Sequence, residues 1–167
     1  MIKDANLTIQ KLETARSQLQ TAIQLWFADG DPISIHTLTC AAHQILHDIH
    51  VQRGGYPLIF DSIFAKEGYR AQWNRGVKAH MNFFKHADRD TNGTILFDPS
   101  LTEPFFMMSL YILEGLGTPL APAEAACAFW CVLHNPDWLD MPGQDRFLNC
   151  LQADELANLR EIPKQRF

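Results

Sequence analysis

Cysteine is scarce in this chain, and its pattern carries no framework. The four residues Cys40, Cys127, Cys131 and Cys150 contain no CxxC pair. A chain of 167 residues buries roughly 70% of its unfolded surface, so it needs neither disulfides nor a metal to fold. Cys127 and Cys131, four apart in an apolar segment, read as small core residues. No run of about 18 apolar residues is present, which excludes a helical membrane span. The opening Met1-Ile2-Lys3-Asp4-Ala5-Asn6 lacks the charged and then apolar stretches of a secretory signal. The expectation is therefore a soluble protein of the cytoplasm. Repeats, low-complexity tracts and long linkers are also absent, which predicts one domain over residues 1–167.

Positive charge is in deficit. Fourteen Lys and Arg face 19 Asp and Glu, a net charge of −5. That argues against broad binding to a nucleic-acid backbone, which favours a basic face. A local patch remains open, since Arg70, Arg75, Lys78, Lys85 and Arg89 place five cations in twenty residues.

What is abundant is helical periodicity. Leu12, Ala15, Leu19, Ala22, Ile23 and Trp26 recur at helical spacing within a predicted helix from about Asp4 to Ala28. Asp29-Gly30-Asp31-Pro32 stops it. A second helix is expected from Ser34, as N-cap, to about Val51, ended by Gly54, Gly55 and Pro57. Leu58 to Ala65 reads as a short helix and Glu67 to Ala87 as a third long one. An irregular loop spans Asp88 to Asp98, with Thr94–Phe97 extended. Further helices are expected near Leu101–Glu114, Pro122–His134 and Asp154–Glu161. The fold class that follows is all-α, a bundle of about five to six helices.

Three polar features stand out. His36, His43, His47 and His50 are spaced by 7, 4 and 3 residues. They share an arc of about 60° on the second helix, about 140° from the centre of its apolar face at Leu38, Ala41, Ala42, Ile45 and Ile49. The stripe is expected beside the core, facing solvent, a cleft or a partner. His43, His47 and His50 have the spacing with which imidazoles share a metal, although no HExxH or ExxH pattern adds ligands. The alternatives are individually bonded histidines or a pH-responsive surface whose packing weakens below about pH 6. Secondly, Asp88-Arg89-Asp90-Thr91-Asn92-Gly93-Thr94-Ile95 matches the opening of an EF-hand loop. Its twelfth position is Pro99 instead of glutamate and no second hand exists, so an Asx turn is the competing reading.

The third feature is the polar face of the third helix. Tyr69, Trp73, Val77, His80 and Phe84 form its expected core face. Arg75, Asn82 and His86 lie opposite, within an arc of about 40°. An imidazole that moves a proton near neutral pH, an amide that orients it and a guanidinium suit phosphate chemistry. The stretch Asn82-Phe83-Phe84-Lys85-His86-Ala87-Asp88 resembles the Asn-x-x-x-His part of the HEPN motif, written Arg-Asn-x-x-x-His. Met81 stands where that motif has arginine. A second register, Arg75-Gly76-Val77-Lys78-Ala79-His80, has the Arg-x4-His spacing but glycine at the polar position. The resemblance implies a small helical bundle that forms a homodimer. Many HEPN proteins cleave RNA without metal in the dimer cleft, and others bind nucleotides or act as scaffolds. Asp31–Leu38 and Asn82–Asp90 also resemble an uncharacterised family of bacterial proteins, which implies no activity.

Three functions follow as expectations. The first is a HEPN-like protein binding or cleaving RNA or nucleotides, with His86 as acid or base, Asn82 as its orienter and Arg75 and Lys85 on phosphate. The second is a non-catalytic interaction module anchored by Trp138 in a proline-bounded loop. The third is a metal-binding bundle built on the histidine stripe.

Overall fold

The computed structural model describes residues 7–62, 66–88, 90–135 and 153–167, with the side chains of 153 and 154 aside. Cys150, Arg89 and Trp138 with its loop lie outside these residues. The described residues form an all-α bundle of six helices and no strand.

Helix α1 (Lys11–Phe27) starts later than its periodicity suggested. Leu7 and Ile9 are exposed, and the helix begins where the Glu13 carboxylate accepts from the Gln10 N–H at 3.3 Å. It buries Ala15, Leu19, Ala22, Ile23 and Trp26. Asp29, in the left-handed region at φ 50°, turns the chain into α2 (Pro32–Gln52). The N-cap of α2 is Asp31, not Ser34. Its carboxylate accepts from the Ser34 N–H at 2.7 Å, and Pro32 takes the first turn, where no amide is needed. At the other end the Gly55 N–H bonds the His50 carbonyl at 2.9 Å. A Cβ on Gly55 would lie 2.2 Å from the His50 ring, so a larger residue there would push the imidazole aside.

Leu58 to Ser62 is a turn instead of the expected helix. It drives Phe60 into the core, where the ring is fully buried. After a 3-10 turn (Glu67–Tyr69), α3 (Arg70–Lys85) runs along the edge of the bundle and fully buries only Met81. Residues 94–97 follow without strand pairing, and a 3-10 turn (Pro99–Thr102) leads into α4 (Glu103–Gly115). Helix α4 is buried nearly all round: eight of its residues are inaccessible, Phe105 to Leu110 without a break. Helix α5 (Pro122–His134) and α6 (Ala153–Arg160) complete the bundle.

Helix α2 is the centre. It packs on α1, on α4 and on α3, so it has more than one buried face. This corrects the expected orientation of the histidines. His36, His43 and His47 are buried at 1%, 0% and 7% exposure, whereas of the expected apolar face Ala42 is fully buried and Leu38, Ala41, Ile45 and Ile49 are only half-buried. The apolar arc of α2 meets α1, and the histidine arc is the one covered by Phe60 and Phe105. Periodicity located one packed face, but the helix has two.

Candidate functional site

Helix α3 ends at Lys85, and its C-cap is His86, with φ −132° and ψ 129°. The extended backbone takes His86 off the helical wheel it was expected to share with Arg75 and Asn82. The chain then bends back in an Asx turn, in which the Asp90 carboxylate accepts from the Asn92 N–H at 3.2 Å. The fold-back makes a surface groove of about 520 Å³ lined by Ala79, Asn82, Phe83, His86, Asp88 and Asp90. Asn82 and His86 are thus brought to one concavity. Arg75 is not: it sits two helical turns earlier, exposed on the outer face of α3. No described lining residue is a cation. Gly93 shapes the groove, because a Cβ there would lie 2.4 Å from the Asp90 carboxylate and 3.3 Å from the Phe83 ring.

The same loop settles the calcium-type pattern locally. Asp98 accepts from the Ser100 N–H at 3.0 Å and caps the Pro99–Thr102 turn. The second half of an EF-hand loop is replaced by the start of a helix.

The buried histidines form a row with separate partners. His36 Nδ1 meets Thr102 Oγ1 at 2.9 Å and its Nε2 meets Cys40 Sγ at 3.4 Å. Cysteine, imidazole and hydroxyl here have the connectivity of a nucleophile, base and orienter. The environment makes the set inert. Burial pushes the Cys40 thiol up to about 12, and it pushes His36 down to about 4, with His80 and Lys85 nearby adding to that shift. A closed thiol beside a neutral imidazole, ringed by Phe84, Phe97 and Phe105, is core.

His43 Nδ1 meets Ser109 Oγ at 3.1 Å, while its Nε2 is buried without a partner. A neutral ring that donates from Nδ1 leaves only a lone pair unpaired, the cheaper of the two orphans. Burial lowers its pKa to about 3, and His47 adds to this.

His47 Nε2 meets the Phe60 carbonyl at 3.1 Å and its Nδ1 meets Asp48 Oδ1 at 3.3 Å. The His43 and His47 rings are 6.2 Å apart, and His50 lies against Gly55. His43, His47 and His50 therefore turn to different partners. Among the described residues no three His, Cys, Asp or Glu side chains are gathered to hold a metal ion. His36 does not reach His86; its neighbour on α3 is His80, with ring centroids 6.2 Å apart. His80 in turn meets the Leu96 carbonyl at 2.9 Å.

Sequence reasoning missed several polar residues. Thr102 and Ser109, each 66 positions after its histidine, repeat the seven-residue spacing of His36 and His43. That matched spacing was the available signal for two helices in register. Glu124 is fully buried, and no periodicity flagged it. Its carboxylate accepts from Arg16 Nε and Nη2 at 3.0 and 2.8 Å, Gln20 Nε2 at 3.0 Å and the Ala121 N–H at 2.6 Å. Burial opposes its ionisation, yet these donors hold its pKa below the ordinary value. The cluster ties α1 to the start of α5 and is structural. Glu103 is half-buried, with its pKa raised by desolvation, and it accepts from Asn135 Nδ2 at 3.1 Å.

Tyr69 and Trp73, expected in the core, are 65% and 45% exposed. The reason is that α3 has a packed neighbour on one side only, where Met81, Val77 and Phe84 point. Comparison of the chain with family models, with curated proteins and with solved structures finds no match.

Proposed function

We propose that the groove at the end of α3 is a nucleotide-binding site and that the chain is a HEPN-like helical protein that binds without cleaving. The observation that carries this reading is the convergence of Asn82 and His86 on one groove of about 520 Å³ beside the Phe83 ring. That volume suits a single small ligand. Phe83 offers a stacking surface for a base. Asn82 supplies a paired donor and acceptor of the kind that reads a base edge. The carboxylates of Asp88 and Asp90 are poor company for phosphate. They are good acceptors for ribose hydroxyls or an exocyclic amine. The nucleoside is therefore the part inside, and its phosphate points out to solvent.

Cleavage is not part of the proposal. Arg75 is outside the groove, and no described lining residue is a cation that would stabilise charge developing on phosphorus. Calorimetric titration with AMP, GMP, CMP and UMP tests the reading. At least one should bind, and Asn82→Ala and His86→Ala should each weaken it about tenfold, the loss of one good hydrogen bond. Absence of binding for all four, or unchanged affinity in both variants, would refute it. RNA cleavage by the wild type that His86→Ala abolishes would instead restore the catalytic assignment.

A further inference from the structure

We propose that α3, together with the returning segment 94–97, is a hinged lid over His36 and Cys40, closed at neutral pH and released in acid.

The way α3 is attached is the first observation. Its first half is tethered to the turn after α2. Trp73 Nε1–H donates to the Ile59 carbonyl at 2.7 Å, the Asn74 side-chain oxygen accepts from the Asp61 N–H at 2.8 Å, and Lys78 Nζ sits 4.5 Å from the Phe60 ring centroid. Its second half closes over α2 by ring packing. Phe84, Phe97 and His80 make T-shaped contacts with His36, at centroid distances of 5.9, 5.0 and 6.2 Å. These three groups also hold one another. His80 bonds the Leu96 carbonyl at 2.9 Å, and the Phe84 and Phe97 centroids are 5.1 Å apart. That hydrogen bond lies within the lid and does not tie the lid to the body. The chain re-enters the body at Asp98, which caps the Pro99–Thr102 turn. Helix α3 fully buries only Met81, so its release uncovers little apolar surface, the mark of a segment that opens locally.

Charge at this seam is the second observation. His36 is 1% exposed, and the titratable groups that reach it from the lid are both basic, His80 and Lys85. From the body it faces Cys40 of α2, Thr102 of the 3-10 turn and Phe105 of α4. Among the described residues no carboxylate is seen against it. Acid puts positive charge on histidine, so protons taken up here set like charges against one another with no anion between them.

Closed, burial and these basic neighbours hold His36 down at about 4. With the lid off, its ring is solvated and titrates near 6.5. The closed value is the lower one, so opening takes up a proton. Its equilibrium constant rises about tenfold per pH unit from about 6.5 down to about 4. His43 does not share this behaviour. Ser109 and Phe105 of α4, with Phe60, cover it, and none of these belongs to the lid. Release of the lid therefore takes up one buried-histidine proton, and complete unfolding takes up two.

Hydrogen exchange of the full chain, read by mass spectrometry and corrected for the intrinsic pH dependence of amide exchange, tests this. Between about pH 7.5 and about pH 5 the opening constant of α3 should rise about 30-fold while α1 and α4 stay protected. His36→Gln, which keeps an amide for Thr102, should flatten that rise, and His43→Gln should leave it intact. In acid, dithiodipyridine should label Cys40 before Cys127 and Cys131, which lie on α5 outside the lid. Exchange of α3 in step with α1 and α4 at every pH would overturn the lid. So would a rise that persists in His36→Gln or vanishes in His43→Gln, or Cys40 labelled no sooner than Cys127 and Cys131. Should His36→Gln not fold, the contrast between α3 and α1 and the order of labelling decide.

Discussion

Acid should loosen this fold well above the pH at which its carboxylates titrate. His36 and His43 lie in the core with pKa values pushed down by burial to about 4 and about 3. Unfolded, each titrates near 6.5. The folded values are the lower ones, so below about pH 6.5 the unfolded chain binds protons that the native chain refuses. Stability is complete above that pH and falls as pH drops toward the folded values. Among the described residues no carboxylate is seen against either ring: His36 meets Thr102, Cys40, His80 and three phenylalanines, with the Lys85 charge nearby, and His43 meets Ser109, His47, Phe60 and Phe105. Between pH 8 and 5 the linkage is about 2 kcal/mol per histidine, or about 4 kcal/mol for the pair, as an upper value before the core relaxes. That is a large part of the stability of an ordinary domain. Urea unfolding followed by circular dichroism between pH 8 and 5 measures it. His43→Gln keeps a donor for Ser109 and removes one titration, so its pH slope should be clearly shallower than that of the wild type. A flat wild-type profile, or identical slopes in the two proteins, would refute the assignment of neutral buried imidazoles.

Other substitutions probe single contacts. Arg16→Ala leaves the Glu124 carboxylate buried without its main partner and should cost about 3 kcal/mol in urea unfolding at pH 7; a loss below about 1 kcal/mol would mean that the carboxylate finds water. Ser109→Ala should cost about 1–2 kcal/mol by the same assay, because His43 then has no hydrogen bond at all. Gly93→Ala should displace the Asp90 carboxylate and close the groove, abolishing nucleotide binding in a titration while thermal unfolding shifts by only a few degrees; retained affinity would show that Asp90 yields easily.

The helices were legible because they depend on periodicity and caps, which are local. The Pro122 start of α5 stands as the sequence predicts, whereas Asp31-Pro32 reads as the end of α1 and Ser34 as the cap of α2, two to three residues late. Which way α2 faces was not legible. Its histidine arc is buried because Phe105 arrives from α4, far along the chain, and Phe60 from an irregular turn that periodicity does not place. The expectation at α3 failed in the opposite sense. Tyr69 and Trp73 share the apolar stripe of Phe84, but among the described residues their end of the helix meets only the Ile59–Asp61 turn, which bonds Trp73 and Asn74 without covering the rings.

At the candidate site, Asn82 and His86 were found from their spacing, though the reason they meet is not helical. The helix stops at Lys85, and the Asp90 turn folds the loop back. Arg75 was placed with them on a wheel that ends one residue too soon. Glu124 escaped notice because a buried carboxylate is recognised only by its partners, and these come from α1.

The most direct test of the nucleotide site is an amide-resolved NMR titration with AMP and its three counterparts. The account predicts saturable shifts at Asn82, Phe83, His86 and Asp90, with the buried histidines of α2 unmoved. Saturable shifts confined to any other part of the molecule, or none with any of the four nucleotides, would contradict it.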